Sequence, residues 1–393
     1  MTRAWPDREG SAAPDDAGPG RDAWFSRAEY LARVAKVQAE LVARGCDALL
    51  AFEPESVTYL TGFFTRGYST FQFAVIPASG EPGVLCRDVA GYYLDTTCVF
   101  DDRAVWTDGD DRMAVAAAFL RRKLGDAGRI AVELGAWQLN AERWLALQAA
   151  LPRYSLEDAA RLVARVRLIK SPGEIALQRI AGNAAEAGMA AAHAAAGAGV
   201  SEREIAAEVC AALVRAGSDL PGPGVMSSGE RARHLHGGYS DRVLRDGDTV
   251  QMECTPSSRY YHARFMRTIK IGGATPEERE RARLLLGIQD AALREVAPGM
   301  PAALPDRIYR EGVLTAGLAK SYTNKTFYSI GLMMPPIGGE FLEATPGCEW
   351  TFEPGMTFHT YVLASSFGFS ETITIVESGY ERLTNFPREL LIA

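Results

Sequence analysis

Hydrophobic and polar positions change their pattern partway along the chain, and the change divides it in two. From 24 to 160, segments with a helical period are each followed by short apolar runs typical of buried strands. In SRAEYLARVAKVQAELVARGCDALLAF, Ser26 and Glu29 fit a capping box, and Gly45 ends the helix before an apolar run. This alternation predicts a small α/β domain over residues 24–165.

The remainder, residues 166–393, predicts helices followed by strands, twice over. Ser171 caps an Ala-rich helical run with Pro172 in its first turn, and a second helix opens near Ser201. The order indicates an internal duplication in which two αβ halves pack around a shared sheet, with any site between them. The later elements are strands near 222–227, 249–255 and 260–271, helices in TPEERERARLLLGIQDAALREVAPGM and LPDRIYREGVLTAGL, and strands from 325 onward.

Length and composition are those of a globular protein of two domains. The 393 residues are 47% hydrophobic and 23% charged, and the net charge of −7 gives no reason to expect nucleic-acid binding. No run approaches the roughly 18 apolar residues of a membrane span. Residues 1–23 are rich in Pro, Gly and Asp and lack the apolar centre of a signal peptide, so they predict a disordered tail.

The cysteines indicate a reducing compartment. Six cysteines are scattered along the chain without a CxxC pair. This spacing fits neither a disulfide framework nor a structural zinc site, so we expect reduced thiols and a cytoplasmic protein.

One stretch, QMECTPSSRYYHARFMRTIKIGG, places charged residues on predicted strands. A buried carboxylate is costly unless it is paired or used, so Glu253 either pairs with Arg267 or serves chemistry. In the second case it is a base, a nucleophile, or the partner of a cationic amidine or guanidine. Arg264 and Arg267 lie three apart and are expected to point to opposite faces of the strand.

Five segments in this order resemble the creatinase/prolidase/methionine aminopeptidase family over roughly residues 26–393. They are RLIKSPGEI, LRDGDTVQMEC, RYYHARFMRT, PGMTFHTY and SETITIVESGYERLTNFPREL. The resemblance implies a creatinase-type α/β N-terminal domain. It also implies an α+β pita-bread C-terminal domain with an internal pseudo-two-fold duplication.

Metallopeptidases of that family hold two divalent ions with Asp, Asp, His, Glu and Glu. The resemblance places Glu253, Arg264, Tyr328, Tyr361 and Glu371 at those positions. Two divalent cations need several anionic or imidazole ligands to offset their dehydration, and an arginine repels them. We therefore expect no metal and no other cofactor.

Two metal-free branches of the family, creatinase and ectoine hydrolase, cleave C–N bonds of small nitrogen-rich molecules. The chain is more similar to ectoine hydrolase in Glu253, in YHA followed by MRT, in IGLMMPP, and in PGMTFH before Glu371. It departs from that branch at Arg264 and Met266, and in the short segment TYVLASSFGFSE.

The resemblance gives three residues catalytic roles. His236 lies twelve residues before Asp248, the spacing of a catalytic or substrate-contacting histidine in the family, and histidine is a residue type suited to proton transfer near pH 7. His234 competes for this role, and an ordinary loop histidine is the alternative. Glu371 is expected to form a carboxylate pair with Glu253 that separates acid and base roles, unless it is a strand-end surface charge.

Further residues are expected to bind substrate. Arg264 would clamp a substrate carboxylate, and His262, on the same face, would orient the substrate or Glu253. Tyr328 and Tyr361 either donate phenol hydrogen bonds or fill the volume of the lost ions. The residues expected to be structural are His193, Arg267, Glu353 and His359.

The segment YLTGFFTRGYSTFQF resembles the part of creatinase-like dimers that covers the partner's active site. The resemblance implies a homodimer in which Tyr68 and Gln72 lie near the partner's substrate. The alternative is that this segment belongs to the core of its own domain.

These residues support two hypotheses from different classes. The first is a metal-free hydrolase of a non-peptide C–N bond in a small zwitterionic cyclic amidine or guanidino compound; the same groups would serve a cyclase or lyase. The second is a non-catalytic protein that binds a metabolite or a partner. An Xaa-Pro metallopeptidase that recruits its ions through other ligands is a distant third.

Overall fold

The computed structural model describes residues 22–393, so all but the last two residues of the predicted tail lie outside it. Of those two, Ala23 is fully buried. The chain divides into two compact units between Val166 and Arg167. None of the helices in 22–393 has the length and apolar character needed to cross a membrane.

The first unit confirms the predicted alternation of helices and strands. Among its described residues, one sheet has the order β4-β3-β2-β1-β5-β6, antiparallel at β1–β2 and β2–β3 and parallel elsewhere. The strands are β1 (Ala48–Ala51), β2 (Phe73–Pro77), β3 (Gly83–Arg87), β4 (Asp102–Trp106), β5 (Gly128–Val132) and β6 (Tyr154–Asp158). The helices are α1 (Arg27–Arg44), α2 (Pro54–Thr61), α3 (Gly91–Thr97), α4 (Arg112–Leu124), α5 (Ala141–Ala150) and α6 (Leu162–Val166).

Local signals set the ends of the first helix. Ser26 accepts a hydrogen bond from the backbone N–H of Glu29, and Gly45 ends α1 with a left-handed φ of 67°. On α1, Val37 and Leu41 are buried. The neighbouring strand β1 is buried at all four of its residues.

The second unit repeats helices followed by strands, as the sequence predicts. Capping boxes at Ser171 and Ser201 start its first two helices. The helices are α7 (Pro172–Ala195), α8 (Glu202–Arg215), α9 (Pro276–Leu293) and α10 (Ala303–Thr315). The strands are β7 (Val225–Ser228), β8 (Thr249–Cys254), β9 (Ser257–Ser258), β10 (Tyr261–His262), β11 (Phe265–Lys270), β12 (Phe327–Ser329), β13 (Glu343–Ala344), β14 (Thr357–Ala364), β15 (Phe367–Val376), β16 (Gly379–Arg382) and β17 (Leu391–Ile392).

The expectation of a single shared sheet is wrong, because each half of the second unit hydrogen-bonds its own sheet. Residues 167–393 form sheets of order β17-β11-β8-β7 and β13-β12-β14-β15-β16, besides the short pair β9–β10. The two sheets meet at β11 and β15. There Thr268 and Gly368 exchange hydrogen bonds between side chain and backbone, and the Thr372 hydroxyl bonds the backbone of Arg264.

Candidate active site

An ion pair lies on the first of the two sheets. Glu253, in β8, is opposite Met266 of β11, and Arg264 lies two residues before Met266, on the same face. The Arg264 guanidinium donates to Glu253 Oε1 over 3.1 Å, with 15% of the arginine side chain and 6% of the glutamate side chain exposed. Burial alone would lower the pKa of Arg264, but Tyr328 and Glu253 raise it above its usual value.

A glycine fixes the approach to Glu253. Gly224 has a left-handed φ of 81°, and a Cβ atom on it would lie 2.0 Å from the backbone oxygen of Glu253. Only glycine fits this close contact without displacing the strand that carries the carboxylate.

Three aromatic rings form a wall beside this pair. In the register of β12 with β14, Tyr328 is opposite His359, and Tyr361 follows His359 by two residues on the same face. His359 stacks on Tyr361 with ring centroids 5.3 Å apart and meets Tyr328 edge-on at 5.0 Å. The Arg264 guanidinium lies over the Tyr328 ring at 5.5 Å. Burial raises the pKa of both tyrosines, so both phenols stay protonated and can donate hydrogen bonds.

His359, which the sequence suggested was structural, belongs to this group. Its Nε2 lies 4.0 Å from Glu253 Oε1. Burial, reinforced by Arg264 and Lys325, holds the pKa of His359 well below 6.5, so the ring is neutral at pH 7. The alternation in PGMTFHTY that places His359 on the face of Tyr361 was a usable signal for finding it.

The second carboxylate, Glu371, is bonded on both oxygens. Arg267 donates to Oε1 over 2.7 Å, and the Thr384 hydroxyl donates to Oε2 over 2.7 Å. The side chains of Arg267 and Glu371 are both fully buried. The alternative pairing of Glu253 with Arg267 is therefore wrong, since each carboxylate has its own arginine, and the surface-charge reading of Glu371 is wrong as well. A catalytic role for Glu371 stays a prediction.

His262 is tied to the backbone of the neighbouring segment. The Nε2 atom of His262 lies 3.0 Å from the Met333 carbonyl oxygen. The side-chain amide of Gln178 donates to the backbone carbonyl of His262. Burial, and then Arg264, lower the pKa of His262 to about 4. These contacts orient the segment around Met333, and substrate binding by His262 stays a prediction.

The two candidate histidines of HLHGG are both exposed. His236 has a left-handed φ of 64°. His234 lines a cleft of about 470 Å³, whose walls include Leu235 and Leu363. Leu363 belongs to the apolar cluster that contains Tyr328 and Tyr361, and Leu235 packs against it, so the cleft and the aromatic wall share these leucines. His234 lines the cleft and His236 does not, and the catalytic role of His236 stays a prediction. The cleft is lined by Arg233, His234, Leu235, Asn324 and residues 363–366.

The remaining two predicted substrate residues lie in the first unit. Tyr68 meets Trp137 edge-on at 6.3 Å, and Gln72 is buried just before β2. Their predicted role near a partner's substrate stays a prediction.

The donor set does not fit a pair of divalent ions. Within residues 22–393 there is no cluster of three or more His, Cys, Asp or Glu side chains arranged to hold a metal ion. At the five positions named above, Glu253 is paired with Arg264, Glu371 is paired with Arg267, and two are tyrosines.

Comparisons with known proteins agree with this architecture. The family described as metallopeptidase family M24 matches residues 176–375, and the creatinase/prolidase N-terminal domain matches residues 33–169. The chain belongs to metallopeptidase family M24, as one of its hydrolases, and carries the creatinase/prolidase N-terminal domain. Its second unit has the pita-bread fold.

Individual relatives span almost the whole chain. An uncharacterized hydrolase/peptidase of Sinorhizobium fredii is 30% identical over 94% of this chain and 98% of its own length. The ectoine hydrolase of Halomonas elongata is 26% identical, with the same shares covered. The crystal structure of dipeptidase PepE from Mycobacterium ulcerans matches with a TM-score of 0.81 at 27% identity, over 95% of this chain and 99% of the other.

Proposed function

We propose that this protein hydrolyses a C–N bond of a small zwitterionic cyclic amidine or guanidino compound without a metal ion, as an ectoine hydrolase does. The observation that carries the proposal is the Arg264–Glu253 pair, which occupies two positions where the family's metallopeptidases bind ions. A cation and an anion side by side match the two ends of a zwitterion.

Binding exchanges one ion pair for two. The substrate carboxylate takes Arg264, and the amidinium or guanidinium takes Glu253, so the site keeps its charge balance before and after binding. An exchange of this kind avoids leaving a buried charge without a partner, which would be strongly unfavourable. A dipeptide carries its cation on the terminal ammonium and not on the scissile bond, whereas an amidine or guanidine places the cation beside Glu253 at the carbon under attack, and this favours an amidine over a peptide.

The aromatic wall completes the cationic end of the site. The Tyr328 ring already carries the Arg264 guanidinium at 5.5 Å and the Lys325 ammonium at 4.8 Å, an arrangement that attracts cations through the ring quadrupole. The protonated phenols supply hydrogen bonds to the oxygen that develops on the attacked carbon.

The similarity to ectoine hydrolase supports this substrate class, while dipeptidase PepE is a comparable relative. The donor set decides between them in our proposal, because it lacks the ligands for a two-metal peptidase among the described residues. We further propose a homodimer in which Tyr68 and Gln72 approach the partner's substrate. The cytoplasmic location stays a prediction.

The test is a substrate panel under two metal conditions. Purified protein treated with EDTA is incubated with ectoine, 5-hydroxyectoine, creatine and an Xaa-Pro dipeptide, and parallel samples receive Mn²⁺ or Co²⁺. We expect turnover of a zwitterionic amidine or guanidine in EDTA, with no gain from metal. Dipeptide cleavage that appears only with metal would overturn the proposal in favour of a peptidase.

A further inference from the structure

His359 has hydrogen-bonding capacity that the fold does not use. The side chain is 1% exposed, and neither ring nitrogen has a hydrogen-bond partner within residues 22–393. Buried polar atoms are normally bonded, because leaving one without a partner destabilises the fold. An imidazole kept under these conditions points to a ligand that supplies the missing bond.

Packing alone does not account for a histidine here. The ring is held by its stack on Tyr361 and its edge contact with Tyr328. A phenylalanine would preserve both contacts and carry no polar atom. What histidine adds is a nitrogen that faces Glu253.

The gap between the two side chains fits a single small donor. His359 Nε2 and Glu253 Oε1 are 4.0 Å apart, too far for a direct hydrogen bond. One oxygen atom placed about 2.8 Å from each atom completes two normal hydrogen bonds. An ionised carboxylate only accepts, and a neutral imidazole has one accepting nitrogen, so the bridging group donates twice. A water molecule does this and leaves its lone pairs free to attack.

We propose that Glu253 and His359 hold the hydrolytic water between them, and that His359 takes the proton which this water loses. This inference rests on the proposed function and names the residue that activates its nucleophile. It gives His359 the proton-transfer role that the sequence assigned to His236.

The reaction consumes one water molecule and conserves charge. The water oxygen forms a bond to the amidinium carbon, the C=N double bond becomes a single bond, and one water proton moves to Nε2. The imidazolium then gives this proton to the departing ring nitrogen as its bond to carbon breaks. The remaining hydroxyl becomes the amide carbonyl, and its proton leaves on the freed amine as ammonium. An amidinium and water thus become an amide and an ammonium group, and His359 returns to its neutral form.

The surroundings of His359 suit both halves of this transfer. Its low pKa, caused by burial and then by Arg264 and Lys325, keeps the ring unprotonated at neutral pH and ready to accept. The imidazolium that forms during the reaction faces the Glu253 carboxylate, whose negative charge stabilises it.

The test compares His359→Phe and His359→Gln with His193→Phe. His193 is the matched control, since its Nε2 bonds the Ile392 carbonyl at 2.7 Å and it lies outside the site. We expect His359→Phe to keep or raise the melting temperature and to lower kcat by about 10²- to 10⁴-fold, with KM changed less than about threefold. His359→Gln should recover part of kcat, because its amide oxygen accepts a hydrogen bond. His193→Phe should lower the melting temperature and keep the wild-type kcat.

Each contrary outcome has a separate meaning. Wild-type kcat in His359→Phe, with wild-type protein active in EDTA, overturns this inference alone. A rise in KM at constant kcat would make His359 a substrate contact and overturn it too. A lower melting temperature in His359→Phe, as in the control, would show a structural histidine. Wild-type protein that turns over no amidine or guanidine defeats the proposed function, and the inference with it.

Discussion

Arg264 donates to Glu253 over 3.1 Å, while Arg267, three residues further along, donates to Glu371 over 2.7 Å. The first arginine retains some exposure and lies beside the aromatic wall. The second is sealed completely between the two sheets of the second unit. Two arginines three residues apart thus form two different ion pairs. The Arg267–Glu371 pair links β11 to β15, and in the proposed function the Arg264–Glu253 pair exchanges partners with a ligand.

Replacing Arg264 should weaken the binding of substrates that carry a carboxylate. A charge-assisted hydrogen bond contributes about 1.5–3 kcal/mol, so Arg264→Gln should raise KM for a zwitterionic amidine roughly 10- to 150-fold. The measurement is the ratio of KM values for the carboxylated ring and the same ring without its carboxylate. An equal rise for both substrates would mean that Arg264 acts only through Glu253.

Breaking the sealed pair should cost stability. Removing one partner of a buried ion pair costs about 3–5 kcal/mol, so Glu371→Gln should lower the melting temperature by roughly 6–20 °C. The control is Glu381→Gln, because Glu381 pairs with Arg179 at the surface, where such pairs contribute under about 1 kcal/mol. Calorimetry gives the melting temperatures of both variants, and we expect a clear decrease only in Glu371→Gln. An unchanged melting temperature with lost turnover would instead support the predicted catalytic role of Glu371.

A methyl group at Gly224 should disturb Glu253 without touching any charge. Gly224→Ala forces a side chain against the Glu253 carbonyl and into a left-handed backbone, so we expect both stability and kcat to fall. Gly222→Ala is the matched control, since a Cβ atom at Gly222 meets nothing within 4 Å. The melting temperature and kcat should both be lower in Gly224→Ala than in Gly222→Ala. Equal values in the two variants would contradict the close contact between Gly224 and the Glu253 carbonyl.

Mild acid should destabilise the protein through its buried neutral histidines. The pKa of His262 is lowered to about 4 by burial and Arg264, below the unfolded value of 6.5. Between these values the unfolded chain binds the extra proton, so stability present at pH 7 is lost as the pH falls. At pH 5.5 the loss from His262 is about 1 kcal/mol. His262→Gln should therefore flatten the dependence of unfolding free energy on pH between 7 and 5. An unchanged slope would show that His262 is protonated in the fold.

Much of the fold is predictable because its signals are local. Ser171 and Ser201 begin helices through side chains that bond backbone groups three residues away, so neighbouring letters suffice. The prediction of one shared sheet failed for the opposite reason. Whether β11 and β15 pair through their backbones depends on contacts between segments about a hundred residues apart, and side chains make those contacts here.

The site was predicted in part for similar reasons. Strand alternation indicates that Arg264 and Arg267 face opposite ways, but it does not say which carboxylate each meets. His359 was overlooked because alternation shows which residues share a face without showing that the face borders Glu253. His234 and His236 lie two residues apart and are both exposed, so the sequence does not show that only His234 lines the cleft.

The most direct test of the proposed function is an NMR time course of EDTA-treated protein with ectoine, 5-hydroxyectoine and creatine. Wild-type protein is compared with Glu253→Gln and with Glu353→Gln, a control at an exposed glutamate. We expect ring opening or C–N cleavage of one of these substrates without metal, abolished in Glu253→Gln and retained in Glu353→Gln. Turnover that survives in Glu253→Gln, or that requires added metal, would contradict it.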